Sequence, residues 1–242
     1  MSVFYGELAR WWPLLSPVDE YKAEAGFFAR VLGARIPEKA RVLELGSGGG
    51  HNAFHLKQHF VMTLTDLSPQ MIEVSQRLNP DCEHAVGDMR TLSLGRTFDA
   101  VFVHDALSYL TTEVEVSEAL DTVSRHLGRG GVALLIPDET TETFEPGTEC
   151  GGADAPDGSG ARYLEWVHPV PPGQTHGVTD YAFVVREADG TTRSFHESHP
   201  FGLFPHATWA RCFDEAGFDL ELVEEETDED RRARTLYVGT KR

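Results

Sequence analysis

Glu44, Gly46, Gly48 and Gly50 stand at alternate positions in ELGSGGGHNAFH, between a run of strand-forming residues and a run with helical spacing. Each glycine removes a Cβ that would obstruct a tight turn or a ligand, and a helix start offers unpaired N–H groups. Such a loop suits a small polar cofactor. Two more acids follow the next strand-like runs, Asp66 after VMTLT and Asp88 in VGDMR. An acid at the tip of the second strand is placed to accept from ribose hydroxyls, and one after the third can accept from the exocyclic amine of adenine. The dinucleotide fingerprint needs a third glycine where this chain has His51, and the Gly-Lys-Ser/Thr ending of a phosphate loop is absent. Three acids at successive strand ends suit a cofactor bearing a sulfonium and an ammonium better than one bearing a pyrophosphate.

Histidines are the other chemistry-bearing residues. His51, His55 and His59 repeat at helical spacing, opposite Ala53, Leu56 and Phe60, and read as a solvated stripe. No metal is expected there, because the carboxylate of an H-E-x-x-H pattern is missing. His104, His168, His176, His196, His199 and His206 border the expected mouth of the site, where an imidazole can take up a proton near neutral pH. His196 and His199 are odd-spaced, so on a strand they point to opposite faces and make a poor ligand pair.

The elements that must position these groups alternate from Arg41 to Pro137. RVLEL, VMTLT, DAVFV and VALLIP read as strands, separated by helical periods such as SPQMIEVSQRL and TEVEVSEALDTVSRHL. That order implies βαβ units and a parallel sheet covered on both faces. Ser68 before Pro69 is an N-cap, Thr112 with Glu115 a capping box, and Gly128 a helix-ending glycine. Residues 140–160, rich in Gly, Pro and acid, predict a mobile loop. Asp189-Gly190 between β-rich runs predicts a hairpin. HATWARCFDEAGF then gives a last helix, and DLELVEE and RTLYVGT close the sheet, with EEETDEDRR between them as a solvated loop. The divisions are a helical cap over 1–39, a cofactor-binding core over 40–137, a β-rich substrate-side insertion over 138–205, and the closing helix and strands over 206–242.

Composition narrows the partners. A formal charge of −18 disfavours nucleic acid and anionic membrane surfaces. Cys82, Cys150 and Cys212 lie far apart, which suggests neither a zinc ribbon nor a disulfide framework and fits a reducing cytoplasm. Neither a signal peptide nor a membrane-length apolar run is evident. A homodimer is left open.

ELGSGGG, TDLSPQMIEVSQRL, GDMR, FDAVFVHDALSYL and LGRGGVALLIP, in that order, resemble the motifs of class I S-adenosylmethionine-dependent methyltransferases. The N-terminal helical stretch and the β-rich insertion are similar to the small-molecule branch, which includes amino-sugar N,N-dimethyltransferases and glycine N-methyltransferase-like enzymes. The resemblance implies an α/β fold with a doubly wound, mostly parallel seven-stranded Rossmann-like sheet and an antiparallel insertion. It implies S-adenosyl-L-methionine as cofactor, with its methionyl part against Gly46, Gly48 and Gly50 and its ammonium near Glu44. Ribose would fall to Asp66, adenine to Leu67, Asp88 and Met89, and the ammonium also to the His104 carbonyl, with Tyr21 closing over the cofactor. The Asn/Asp-Pro-Pro-aromatic tetrad used on bases is replaced by HDAL, which argues against nucleic-acid amines.

The expected reaction is methyl transfer to nitrogen or oxygen of a small soluble acceptor, with His104, His168 or Tyr109 as base where one is needed. Two other readings stand beside it. A nicotinamide-dependent oxidoreductase would need a hydride-site constellation such as Tyr-x-x-x-Lys, which is not evident, and a non-catalytic binding protein would hold the cofactor without turnover.

Overall fold

The computed structural model describes residues 2–226 and 232–242 of the chain. The N-terminal segment contains a one-turn helix, α1 (Trp12–Leu15), and a longer one, α2 (Lys22–Gly33). The central pattern then gives β1 (Arg41–Leu45), α3 (His51–Leu56), β2 (Val61–Asp66), α4 (Pro69–Leu78), β3 (Glu83–Val86), β4 (Phe98–Val103), α5 (Glu113–Arg125) and β5 (Leu127–Leu135). A second, antiparallel sheet follows: β6 (Gly147–Gly151), β7 (Gly160–Val167), β8 (His176–Arg186) and β9 (Thr192–Gly202). The chain returns through α6 (His206–Glu215), β10 (Phe218–Glu224) and β11 (Thr235–Lys241).

Among the described residues the main sheet has seven strands in the order β10-β11-β5-β4-β1-β2-β3. β1 to β5 run parallel, and β11 and β10 close the sheet antiparallel. Successive side chains alternate between two cores. Val42, Leu64, Phe102 and Leu134 pack with Phe28 and Leu56 under α2 and α3, while Leu43, Val101 and Leu135 pack with Leu120, Trp209 and Phe213 under α5 and α6. Burial on both faces explains why these strands read as almost unbroken apolar runs.

Local signals decide most boundaries. The Ser68 side chain accepts from the Met71 N–H, and Thr112 with Glu115 forms the reciprocal box at the start of α5. Gly128 does not end α5, which stops at Arg125. It lies inside β5, where Gly130, at φ 78°, takes the left-handed turn. The hairpin at Asp189-Gly190 forms as expected, with the Thr191 N–H on the Asp189 carboxylate at 2.9 Å.

Two expectations need correction. Residues 140–160 are not one irregular loop: β6 pairs with β7 from Gly147↔Val167 to Gly151↔Tyr163, and Asp154 bridges Gly160. The ladder satisfies backbone groups that Gly-rich composition makes look unpaired. In EEETDEDRR, Glu225 is buried and clamps Arg234, so it is no solvated acid, and residues 227–231 lie outside the described residues.

The N-terminal segment is wedged between the two sheets. Phe4, Leu8 and Trp11 bury against Ala161, Phe183 and Val185 on the inner face of the second sheet, while Ala9 meets Met71 and Val74 of α4.

Candidate active site

A cavity of about 1200 Å³ lies between the C-terminal ends of the parallel strands and the inner face of the second sheet. Ligands in open α/β sheets bind at that edge. Single-ligand pockets run to roughly 300–1,000 Å³, so this one has room for two molecules.

The cofactor end is built by the loop after β1. Gly46 takes φ 68°, and a Cβ there would come within 2.2 Å of the Ala106 Cβ. Gly48 lines the cavity and gives its N–H to Asp66 Oδ2 at 2.8 Å, while Ser68 N–H donates to Asp66 Oδ1 at 2.8 Å. Burial raises the Asp66 carboxyl, and these two N–H groups oppose the rise. Gly50 does not line the cavity. At φ 75° it leaves space for Ser75, and its carbonyl accepts from Asn79 Nδ2 at 2.8 Å, so it locks the loop to α4.

Glu44 is buried on the cavity floor, and its Oε2 has no hydrogen-bond partner. Burial, then the charges of Asp66 and Asp105, push its carboxyl up to about 8. An unpartnered buried carboxyl is costly unless a ligand completes it, and a cationic ammonium would do so. Leu67, two-thirds exposed at the rim, and Met89 flank the site. Asp88 also lines it, but both its oxygens accept from Arg90, which reaches on to Glu115. The Arg90 guanidinium holds Asp88 below its usual range, against a smaller effect of burial.

The histidine stripe is solvated at His59 but not at His51 or His55. α3 ends at Leu56, which leaves His59 beyond it; His51 is buried, and His55 bonds the Val18 carbonyl at 2.9 Å. Trp12 Nε1 donates to His51 Nδ1 at 2.8 Å, so His51 carries its proton on Nε2. Trp12 also covers Gly49, where a Cβ would lie 2.6 Å from the indole Cδ1. Tyr21 stands over His51, with ring centroids 5.1 Å apart and its hydroxyl 2.7 Å from that of Ser16. Tyr21, Gly49 and Trp12 all line the cavity. Sequence reasoning missed Gly49 and the Trp12–His51 bond, because the partner residues lie 37 positions or more apart.

His104 lines the cavity with both ring nitrogens engaged. Arg234 Nη1 can only donate, so Nε2 accepts at 2.7 Å and the Nδ1 proton points at Asp105 Oδ1, 2.5 Å away. Arg234 is held from behind by Glu24 at 2.6 Å and Glu225 at 3.0 Å. Burial alone would raise Asp105, but His104, Asp138 and the Arg234 charge together outweigh it and keep Asp105 low. Burial and Asp105 raise its neighbour Asp138. The Asp138 Oδ2 accepts from Ser108 at 3.1 Å. His104, Asp105 and Asp138 offer ligand atoms within 4.8 Å of one another, but the Arg234 guanidinium beside them already supplies the cation.

The other end of the cavity carries a hydrogen-bonded string. Tyr5 Oη lies 2.5 Å from Tyr109 Oη, Tyr109 Oη 3.1 Å from His199 Nδ1, and His199 Nε2 3.1 Å from Glu197 Oε2. Glu197 also accepts from the N–H groups of Val3 and Phe4, each at 2.9 Å, and so ties the N-terminus to β9. Burial raises both tyrosine hydroxyls, which stay neutral near pH 7. Of the expected bases, Tyr109 stands in this string. His168 is not brought to the cavity: it sits on the outer face of the second sheet, 2.8 Å from Asp180 and tilted against the Trp166 ring. The odd spacing of His196 and His199 has the expected effect, with His199 inward and His196 exposed beside Asp180.

Residues 42–131 match a methyltransferase domain family. The chain is 30% identical over 222 residues, 91% of each chain, to dTDP-3-amino-3,4,6-trideoxy-alpha-D-glucopyranose N,N-dimethyltransferase of Streptomyces venezuelae. It is 28% identical over 224 residues, 91% of this chain and 87% of that one, to dTDP-3-amino-3,6-dideoxy-alpha-D-glucopyranose N,N-dimethyltransferase of Streptomyces fradiae. The crystal structure of Streptomyces venezuelae DesVI superposes with a TM-score of 0.80 at 27% identity over 92% of either chain. The SAM-bound structure of CalS10, an amino pentose methyltransferase of Micromonospora echinaspora, superposes with a TM-score of 0.75 at 26% identity over 92% of either chain. With S-adenosylmethionine as its cofactor, the chain belongs to the class I S-adenosylmethionine-dependent methyltransferases.

Proposed function

We propose that the chain methylates an amine nitrogen of a small soluble acceptor, as relatives named N,N-dimethyltransferases do on amino sugars. The cofactor supplies an electrophilic methyl: the nitrogen lone pair forms the C–N bond while the C–S bond breaks with its electrons to sulfur, and the methylated nitrogen must shed a proton. Glu44 would hold the methionyl ammonium, Asp66 the ribose, and Asp88 with Met89 the adenine edge. The N-terminal segment, with Trp12 and Tyr21 over the loop, excludes water from the reacting atoms.

The observation that carries the amine reading is the string Tyr5, Tyr109, His199 and Glu197 at the acceptor end. Tyr109 faces the acceptor as a neutral hydroxyl and accepts a hydrogen bond from the amine. A proton leaving the nitrogen passes through this hydroxyl to His199 Nδ1, and Glu197 steadies the resulting imidazolium. His104 does not fill this role while Arg234 and Asp105 occupy its two nitrogens. A homodimer would close on the outer face of the second sheet, which exposes Leu164, Trp166, Val178 and Val184.

The test is methyl transfer from labelled S-adenosylmethionine to paired amino and hydroxy sugars, read by mass spectrometry. One or two added methyls on the amino compounds alone support the reading, and methylation of the hydroxy compounds alone refutes it.

A further inference from the structure

Among the described residues, the acceptor end of the cavity is acidic and is lined by no Lys or Arg side chain. Asp138, Glu139, Glu165 and Glu197 line it, whereas Arg90 is the one Lys or Arg side chain among the described residues that line the cavity. Arg90 lies at the cofactor end and is neutralised by Asp88 and Glu115, at 2.7 and 2.5 Å. Arg234 stands behind His104, outside the lining, and is shared among Glu24, Glu225 and the Asp105–Asp138 pair.

A diphosphate needs the opposite environment. Phosphate recognition draws on Arg forks, Lys, or helix N-termini. The acceptor end instead presents carboxylates and the hydroxyls or rings of Tyr5, Tyr109 and Tyr181. Tyr181 donates to Glu165 at 3.0 Å, which fixes that carboxylate on the inner face of β7. Aromatic faces beside carboxylates favour a cationic or polyhydroxylated guest. Asp138, Glu139 and Glu165 are all raised, with burial the largest cause, so added negative charge would meet an already unfavourable field.

We infer that the acceptor of this chain carries no phosphate and arrives as a cation: an amine-bearing sugar or aminocyclitol free of nucleotide, held by Glu165 and Glu139. This departs from the nucleotide-linked substrates in the names of its relatives, and it rests on the amine reading above. One positive charge on the guest neutralises part of the acidic cluster, and a second amine, distant from the reacting one, meets Glu139 at the rim. The second amine carries the charge; the reacting amine attacks as the free base, and the methylated nitrogen then sheds one proton through Tyr109 to His199, so no further reagent is required.

The experiment compares phosphate-free amino sugars and aminocyclitols with dTDP-linked amino sugars. Both series are titrated into the protein loaded with S-adenosylhomocysteine and assayed for methyl transfer with S-adenosylmethionine. The expected result is kcat/KM at least about 10-fold higher for a phosphate-free amine, with binding that weakens as salt rises. Glu165→Gln and Glu139→Gln should each raise KM for that amine several-fold with little change in cofactor affinity, and Glu165→Arg should improve binding of the dTDP-linked probe. Preferred methylation of the dTDP-linked sugars overturns this inference and leaves amine methylation standing. Cofactor binding with transfer to neither series overturns both.

Discussion

Trp12 donates its indole N–H to Nδ1 of His51 at 2.8 Å, joining the N-terminal segment to the first residue of the helix that follows the glycine loop. That bond ties the N-terminal segment, proposed above to cover the cofactor, to the glycine loop. Burial, then the charge of His55, pushes the His51 imidazole down to about 4 from its usual 6.5. Protonation would remove the acceptor, so the bond exists only with neutral His51. Between these values the unfolded chain binds more protons, and stability therefore falls as pH drops from 6.5 toward 4. Proteolysis of the N-terminal segment and Trp fluorescence should show the lid loosening across that window. His51→Gln should loosen it at every pH and flatten the dependence.

Glu44 should link cofactor binding to proton release. Its carboxyl is protonated below about 8 in the empty site, and the cofactor's ammonium favours the charged form. Affinity should therefore rise with pH up to about 8 and then level off. Titrations in buffers of different ionisation enthalpy should show protons released at pH 7.

The same group sets a stability cost. Its folded value lies above the usual 4.5, so the folded chain binds the extra proton, and stability is lost as pH rises from 4.5 to about 8. Glu44→Gln should raise the Tm of the cofactor-free protein at pH 8.5 by about 3–6 °C, at roughly 2–4 °C per kcal/mol for a chain of this size. Its cofactor affinity should fall at least about 10-fold, the cost of losing one charge-assisted hydrogen bond. Thermal melts with and without S-adenosylhomocysteine separate the two effects.

Gly46 cannot accept a side chain. A Cβ would come within 2.2 Å of the Ala106 Cβ, on a backbone already at φ 68°. Gly46→Ala should destabilise the fold by about 2 kcal/mol or more through overpacking and strain. Gly95, also left-handed but with open space around it, is the control: Gly95→Ala should cost only about 1 kcal/mol. Chemical denaturation of both variants measures the difference.

His199 should act on turnover more than on binding. His199→Gln keeps a hydrogen-bonding side chain beside Tyr109 but cannot carry the proton away. It should lower kcat by about 10- to 100-fold, toward the low end of what a positioned base supplies. The pH profile of kcat should lose its acidic limb, while the Kd for S-adenosylmethionine stays within about 2-fold, since no cofactor contact is removed. An unchanged profile would make His199 purely structural.

The motif order over residues 40–137 was readable because local rules decide it. Apolar alternation, the Ser68 and Thr112 caps and the glycine loop each act within a few residues and agree with one another. The acids at the strand ends were readable for the same reason, since topology alone brings Glu44, Asp66 and Asp88 to one edge. The acceptor end was not. Tyr109 and His199 are 90 positions apart, Tyr5 and Tyr109 104, and the Arg234 clamp on His104 spans 130. No periodicity encodes such meetings. His51 misled because amphipathic spacing cannot tell a face turned to water from one covered by Trp12, and Gly50 because glycine needed for packing against α4 looks like glycine needed for a ligand.

The central claim is that the loop after β1 and the acid after β2 hold S-adenosylmethionine. Its most direct test is calorimetric titration of wild type and Asp66→Ala with S-adenosylmethionine and S-adenosylhomocysteine, beside NAD and NADP. The account predicts saturable binding of both sulfur ligands to wild type, a loss of at least about 100-fold in the variant as two charge-assisted hydrogen bonds disappear, and binding of neither dinucleotide. Dinucleotide binding, or full affinity for S-adenosylmethionine in Asp66→Ala, would contradict it.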